Sequence, residues 1–154
     1  MLIRRAQAGD IPQLNRLLFQ VNKIHSDARP DLFKAGAKKY TDSQLDAIVQ
    51  DESTPVFAAV EGERLLGYAF CIFKRSDSGA VNDIKTLYID DLCVDESCRG
   101  RHIGSKLYGY VLDFAKSSGC RNVTLNVWAL NESARKFYEK CGLCIQKYTM
   151  EQIL

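Results

Sequence analysis

The chain has 154 residues, a formal net charge of +2, 46% apolar residues and 26% charged ones. That composition belongs to a water-soluble globular protein, expected to form one domain over 1–154 with a sizeable core, and it excludes disordered and fibrous classes. A charge so near zero gives no reason to expect a nucleic-acid partner, and no apolar run approaches the roughly 20 residues that span a bilayer.

The N-terminal sequence MLIRRAQAGD has no apolar signal-like core, so a cytoplasmic protein without a membrane partner is expected. Leu2 to Ala6 suits a short first strand. Gly9-Asp10 offers an N-cap, Pro12 sits where the first helical turn tolerates it, and Ile11, Leu14, Leu17, Leu18, Val21 and Ile24 recur at helical spacing. That helix is expected to end before a loop over His25–Phe33, broken by Pro30. Thr41–Gln44 fits a capping box for a short second helix through Leu45, Ile48 and Val49. Pro55–Val60 and Leu65–Phe73 are strand-like runs, joined by turn residues Glu61-Gly62-Glu63 into an antiparallel hairpin, and Ser76–Gly79 reads as a loop. A strand from about Ile84 to Val94 follows, carrying two adjacent carboxylates, Asp90 and Asp91.

The strand runs through a polar turn into Arg99-Gly100-Arg101-His102-Ile103-Gly104-Ser105 and then into a helix with Ile103, Leu107, Val111, Phe114 and Ala115 on one face. Glycines that feed a helix N-terminus let backbone N–H groups approach an anion, and the helix dipole adds about 0.3–1 kcal/mol per favourable interaction. Arginine beside those amides matches phosphate geometry. The segment therefore reads as a pyrophosphate cradle. Gly119 stops its helix, Val123–Trp128 forms another strand, Asn131 caps a last helix through Lys140, Gly142 ends it, and Leu143–Leu154 suits a closing strand or strand pair. Six cysteines, several within apolar strand patterns, read as reduced core residues; Cys141 and Cys144 spell C-x-x-C but straddle a helix end, without a second ligand pair for zinc. No metal site is expected.

The element order β-α-α-β-β-β-α-β-α-β, with Arg99–Gly104 after the fourth strand, resembles the GNAT superfamily of acetyl-CoA-dependent N-acetyltransferases. Their loop pattern is Gln/Arg-x-x-Gly-x-Gly/Ala. A second stretch, Asn126 through Gly142 with Asn131, Phe137 and Tyr138, is similar to that family's second motif. The resemblance covers nearly the whole chain. It implies an α/β fold of three layers, with a mixed, mostly antiparallel sheet of six to seven strands flanked by four helices. It also implies acetyl-CoA as co-substrate, a small-molecule or protein amine as acceptor, and a homodimer as in many relatives. One departure is visible: the family's middle glycine is His102 here, tolerable at negative φ and costly at positive φ.

Acyl transfer to an amine needs a base, because an ammonium of pKa about 10.4 is neutral only about once in 2,500 at pH 7, a handicap of roughly 4.6 kcal/mol. Asp90 and Asp91 are the candidates. Spermidine/spermine acetyltransferases of the family carry Glu-Asp at this point. Adjacent strand residues face opposite sides unless a bulge intervenes, so the sequence leaves the choice between them open. By resemblance, a main-chain N–H near Leu92, Cys93 or Val94 meets the oxyanion where two strands splay, and pantetheine fills the gap. Tyr138 matches the tyrosine that protonates the departing thiolate; its other reading is a packing aromatic. Arg99 to Ser105, Asn126 and Asn131 are the expected cofactor contacts. An inactive acyl-CoA-binding sensor is the alternative to an enzyme.

Overall fold

The longest apolar run, Leu65–Phe73, lies inside the longest strand of the computed structural model, which describes residues 1–76, 79–80 and 82–154. The loop expected at Ser76–Gly79 falls partly outside those residues. Five strands are present among the described residues: β1 (Leu2–Arg5), β2 (Val56–Glu61), β3 (Arg64–Lys74), β4 (Thr86–Val94) and β5 (Asn122–Leu125). They lie side by side in chain order, antiparallel from β1 to β4, with β4 and β5 parallel. The hairpin expected at Glu61-Gly62-Glu63 forms, with Gly62 at φ +59° where a side chain would be strained.

Helices α1 (Ile11–Ala28) and α2 (Asp42–Gln50) cover one face, and α3 (Ile103–Ser117) and α4 (Glu132–Lys140) the other. Side chains alternate between two cores because strand residues point to opposite faces. Leu14, Leu17, Leu18 and Leu45 meet Val56, Ala58, Leu65, Tyr68 and Phe70 on one side. Phe57, Ala59, Leu66, Ala69, Leu87 and Ile89 meet Ile103, Leu107, Val111 and Ala115 on the other. The Thr41 capping box closes as expected, with Gln44 N–H donating to Oγ1 at 3.2 Å. Asp10 behaves differently from an N-cap of α1: its carboxylate accepts from Gln7 N–H and is held by both guanidinium arms of Arg4 at 2.7 and 2.9 Å.

Three expectations are corrected. Helix α1 runs through His25 to Ala28, because no breaker precedes Pro30 and the Lys23–Asp27 pair, four residues apart, supports the extra turn. β5 stops at Leu125 instead of Trp128, because its ladder with β4 ends at the Ile89–Leu125 pair. Residues 143–154 form no strand: past Gly142 the chain leaves α4 in the open, so among the described residues the sheet has five strands and not six or seven.

Candidate active site

β4 is not a regular strand. Phe70 stands opposite Asp91 and Cys71 opposite Ile89, so Asp90 is an extra residue without a cross-strand partner. The bulge changes the phase of the strand. Leu87 and Ile89 pack beneath α3 before it, and Leu92 and Val94 do so after it. Asp90 and Asp91 consequently both turn to the α1/α2 face, the case the sequence left open. Asp90 accepts from Lys39 Nζ at 2.6 Å and from the Tyr40 hydroxyl. Asp91 accepts from the Tyr68 hydroxyl at 2.8 Å. Tyr40 and Tyr68 are in turn held by Phe70, at ring distances of 5.5 and 5.0 Å.

The same strand parts from β5 beyond Ile89, leaving Asp91–Val94 paired to β3 alone. Asp91 lies half-buried beside this splay. Burial pushes its carboxyl up to about 6, against the opposing pull of the Tyr68 hydroxyl and Lys39. Tyr138, on α4, borders the same space: burial raises its phenol well above the usual value, and the Asp91 charge adds to the shift. Burial pushes the Cys93 thiol up to about 12, again with Asp91 contributing, so Cys93 stays a neutral core thiol. Its Sγ lies 3.9 Å from the Leu17 carbonyl and 3.8 Å from Gln20 Nε2, which also donates to Val94 O at 3.2 Å.

Past the strand, Asp95 fixes the approach to the cradle. It accepts from Arg16 at 2.7 Å and Arg64 at 3.3 Å, and from Ser97 through both N–H and hydroxyl. Burial alone would raise its carboxyl; these donors overcome that and hold it well below the usual range. The cradle then turns on two left-handed residues, Gly100 at φ +80° and His102 at φ +58°. The position occupied by the family's middle glycine is thus one of positive φ, and His102 bears the strain. No side chain caps the first turn of α3, where Ile103 is buried and Ser105 exposed, so its N–H groups are open to an anion. Arg99 is exposed beside them, whereas Arg101 is engaged by Glu61 of β2 at 2.9 Å. A Cβ on Gly104 would stand 3.3 Å from Phe137 Cζ, so this glycine lets the first turn of α3 lie close against Phe137 of α4.

Asn131 caps α4, accepting from Ala134 N–H at 3.2 Å, and Asn126 donates to the Tyr88 hydroxyl at 3.1 Å across the splay. A cavity of 460 Å³ opens between the end of α1 and the 126–131 loop. His25 stacks on Phe33 there at 5.0 Å, and Phe33 meets Trp128 edge-on at 5.2 Å. Burial, and then Lys39, lowers the His25 pKa. Lys39, Tyr40, Tyr68 and Tyr88 escaped the sequence reading. Only Tyr68 left a signal, as the one hydroxyl in the apolar run Leu65–Phe73. Cys141 and Cys144 are free thiols, and among the described residues no group of three or more His, Cys, Asp or Glu side chains could hold a metal. No helix among them is long and apolar enough to cross a membrane.

Comparison with known proteins adds the following. The family model described as "Acetyltransferase (GNAT) family" matches residues 20–143. Glucosamine 6-phosphate N-acetyltransferase of Arabidopsis thaliana is 28% identical over 115 residues, 75% of this chain and 68% of that protein. Thialysine N-epsilon-acetyltransferase of Sus scrofa is 26% identical over 145 residues, 92% of this chain and 83% of that one. The crystal structure of a tetramutant of the BH1408 protein from Bacillus halodurans superimposes with a TM-score of 0.95 and 33% identity, covering 100% of both chains.

Proposed function

The chain belongs to the acetyltransferase (GNAT) family and is an N-acetyltransferase; from that premise we propose that it moves the acetyl group of acetyl-CoA to the primary amine of a small cationic acceptor, by direct attack in a ternary complex. The observation that carries the reading is the Asp91 carboxylate on the bulged strand where β4 leaves β5, bonded to the Tyr68 hydroxyl, with the Tyr138 phenol bordering the same space.

The site suits the cofactor. The uncapped first turn of α3, with Gly100, His102 and Arg99, offers donors to a pyrophosphate. The β4–β5 splay offers an extended arm a strand-like slot, with Asn126 and Asn131 at its rim. Asp91 accepts a proton from the acceptor ammonium, directly or through one water, and later releases it to solvent. A carboxyl poised near pH 6 is basic enough to help and still ionised at pH 7. The freed amine attacks the thioester carbonyl carbon, and a main-chain N–H between Leu92 and Val94 steadies the oxyanion, a contribution of a few kcal/mol in such a site. As the C–N bond forms and the C–S bond breaks, Tyr138 donates its proton to the sulfur. The nitrogen then sheds its surplus proton, which restores the phenol. Asp90, already engaged by Lys39 and Tyr40, orients the acceptor instead of deprotonating it. His25, Phe33 and Trp128 form the wall of the acceptor cavity.

Two relatives named for acetylating an amino sugar phosphate and thialysine support a small acceptor. A screen of polyamines, amino acids, aminoglycosides and peptides, monitored by release of the CoA thiol, tests this. Turnover with small amines is expected. Turnover restricted to peptide amines would overturn the acceptor class, and acetyl-CoA binding without turnover of any amine would favour a sensor.

A further inference from the structure

The cavity beside the 126–131 loop has a cation at its lip. Arg29, which follows the last residue of α1, lines it with His25, Phe33 and Trp128, and is the one lysine or arginine to do so among the described residues. The acidic lining residue, Glu132, is engaged by Lys136 at 3.2 Å. A volume of 460 Å³ falls within the range of roughly 300–1,000 Å³ that small-molecule sites occupy. The Arg29 guanidinium has two edges, each able to grip a carboxylate through two parallel hydrogen bonds. Asp31 fills the first edge, accepting from Nε at 2.9 Å and from Nη2 at 2.7 Å. It stands on a turn that the Arg29 carbonyl pins by accepting from the N–H groups of Leu32 and Phe33, so this grip belongs to the fold and orients the guanidinium. Glu151 spans the second edge, accepting from Nη1 and Nη2 at 3.1 Å each. It arrives from 122 residues away, on a tail whose residues 144–154 make no backbone–backbone hydrogen bond among the described residues. The Glu151 side chain is 52% exposed, and an ion pair so open to water is weak enough to exchange.

One edge of a pre-oriented arginine is therefore held by a replaceable carboxylate at the mouth of a ligand-sized cavity. Building on the small-amine reading above, we propose that the acceptor carries a carboxylate as well as its amine, and that this carboxylate takes the place of Glu151 on the Nη1/Nη2 edge of Arg29. The class that fits is an amino acid with a second amine at the far end of an aliphatic side chain, which keeps a net positive charge. Arg29 sits one helical turn beyond His25, donating its N–H to the His25 carbonyl at 2.8 Å. The charge of Lys39 reaches His25, and Lys39 is itself bonded to Asp90. Arg29 thus anchors the carboxylate end, the rings of Phe33 and Trp128 flank the chain, and the far amine turns inward to the Asp90–Asp91 end. A planar fork suits a carboxylate better than the point charge of a lysine would. Glu151 competes for the same edge, so the tail sets how tightly such an acceptor is held.

Calorimetric titration of the intact chain with CoA present, using L-lysine against 1,5-diaminopentane and L-ornithine against 1,4-diaminobutane, tests this, because each pair differs by one carboxylate. Both amino acids are expected to bind about 10–100-fold more tightly than their diamines, the range for a charged bidentate contact. Arg29→Gln is expected to erase that advantage and leave the diamines unchanged, with Arg29→Lys recovering part of it. Glu151→Gln, changed at an exposed site, is expected to tighten amino-acid binding by about 2–5-fold and leave diamine binding alone. Amino acids that bind no better than diamines, Arg29 substitutions that weaken both classes alike, or a Glu151→Gln variant without effect would each overturn the proposal. Thiol release with acetyl-CoA separates this from the reading it builds on. Turnover of diamines in preference to amino acids would remove the carboxylate site and leave the small-amine reading whole, whereas tight, Arg29-dependent amino-acid binding without turnover would do the reverse.

Discussion

Asp91→Asn separates a catalytic carboxylate from a structural one, because the two roles predict opposite changes in stability. The wild-type carboxyl is pushed from 3.8 up to about 6 by burial, so the folded state holds a proton that the unfolded chain has already released. Between pH 4 and 6 the wild type therefore loses stability as pH rises, and the loss persists above pH 6. A shift of roughly two units at 1.36 kcal/mol each sets it at about 3 kcal/mol. The asparagine amide can still accept from the Tyr68 hydroxyl, but its NH2 group must find an acceptor, which offsets on the order of 1 kcal/mol. The variant should lie about 1 kcal/mol below the wild type near pH 4 and exceed it by about 2 kcal/mol at pH 8, or about 4–8 °C in Tm for a chain of this length. Its kcat should fall on the order of 10²–10⁴-fold. Urea titrations at the two pH values, with thiol-release kinetics, measure both. An Asn variant less stable at pH 8 than the wild type, or one with unchanged kcat/KM, would refute the reasoning.

Tyr138→Phe should lower kcat by about 10²-fold while acetyl-CoA affinity, measured by calorimetry, stays the same, because only the proton for the thiolate is removed. His102→Gly relieves the left-handed backbone at φ +58°. Against the added freedom of the unfolded chain, it should raise stability by about 0.5–1 kcal/mol, seen as a higher Tm. Gly67→Ala places a Cβ 2.6 Å from the Cys93 carbonyl oxygen, forcing β3 from β4; denaturant unfolding should show a loss of about 2–3 kcal/mol. Asp95→Asn weakens the joint to Arg16 and Arg64 and should cost about 2 kcal/mol at pH 7. Because the wild-type carboxyl is held low, that difference should shrink as pH falls below about 4, which a pH series of melting curves would reveal.

Local chemistry made much of the site legible in the sequence. Gly100 marked the turn before α3, Asn131 marked the start of α4, and Gly119 and Gly142 marked helix ends, each through a conformation or hydrogen bond that few other residues supply. What stayed hidden depends on distant pairing. The bulge at Asp90 follows from how β3 lies against β4, which adjacent residues of β4 do not encode. Lys39 and Tyr40 reach Asp90 from a loop with no pattern of its own, at a separation of about fifty residues. The positive φ at His102 could not be deduced from a residue that also tolerates negative φ. The tail from Leu143 to Leu154 has the composition of a strand, but composition supplies no neighbour to pair with, and among the described residues it forms none.

The bulge divides β4 into two segments that are out of step with one another. Upstream, odd-numbered Leu87 and Ile89 face α3; downstream, even-numbered Leu92 and Val94 do. Were Asp90 drawn into a regular ladder opposite β3 instead of bulging out of it, every side chain from Asp91 onward would exchange inside for outside. Leu92 and Val94 would be thrust toward α1, Cys93 would leave Leu17 and Gln20, and the Arg16 joint to Asp95 would part. One supernumerary residue thus acts as a spacer, allowing the half of the strand that pairs with β5 and the half that leads toward α3 to be read in different frames.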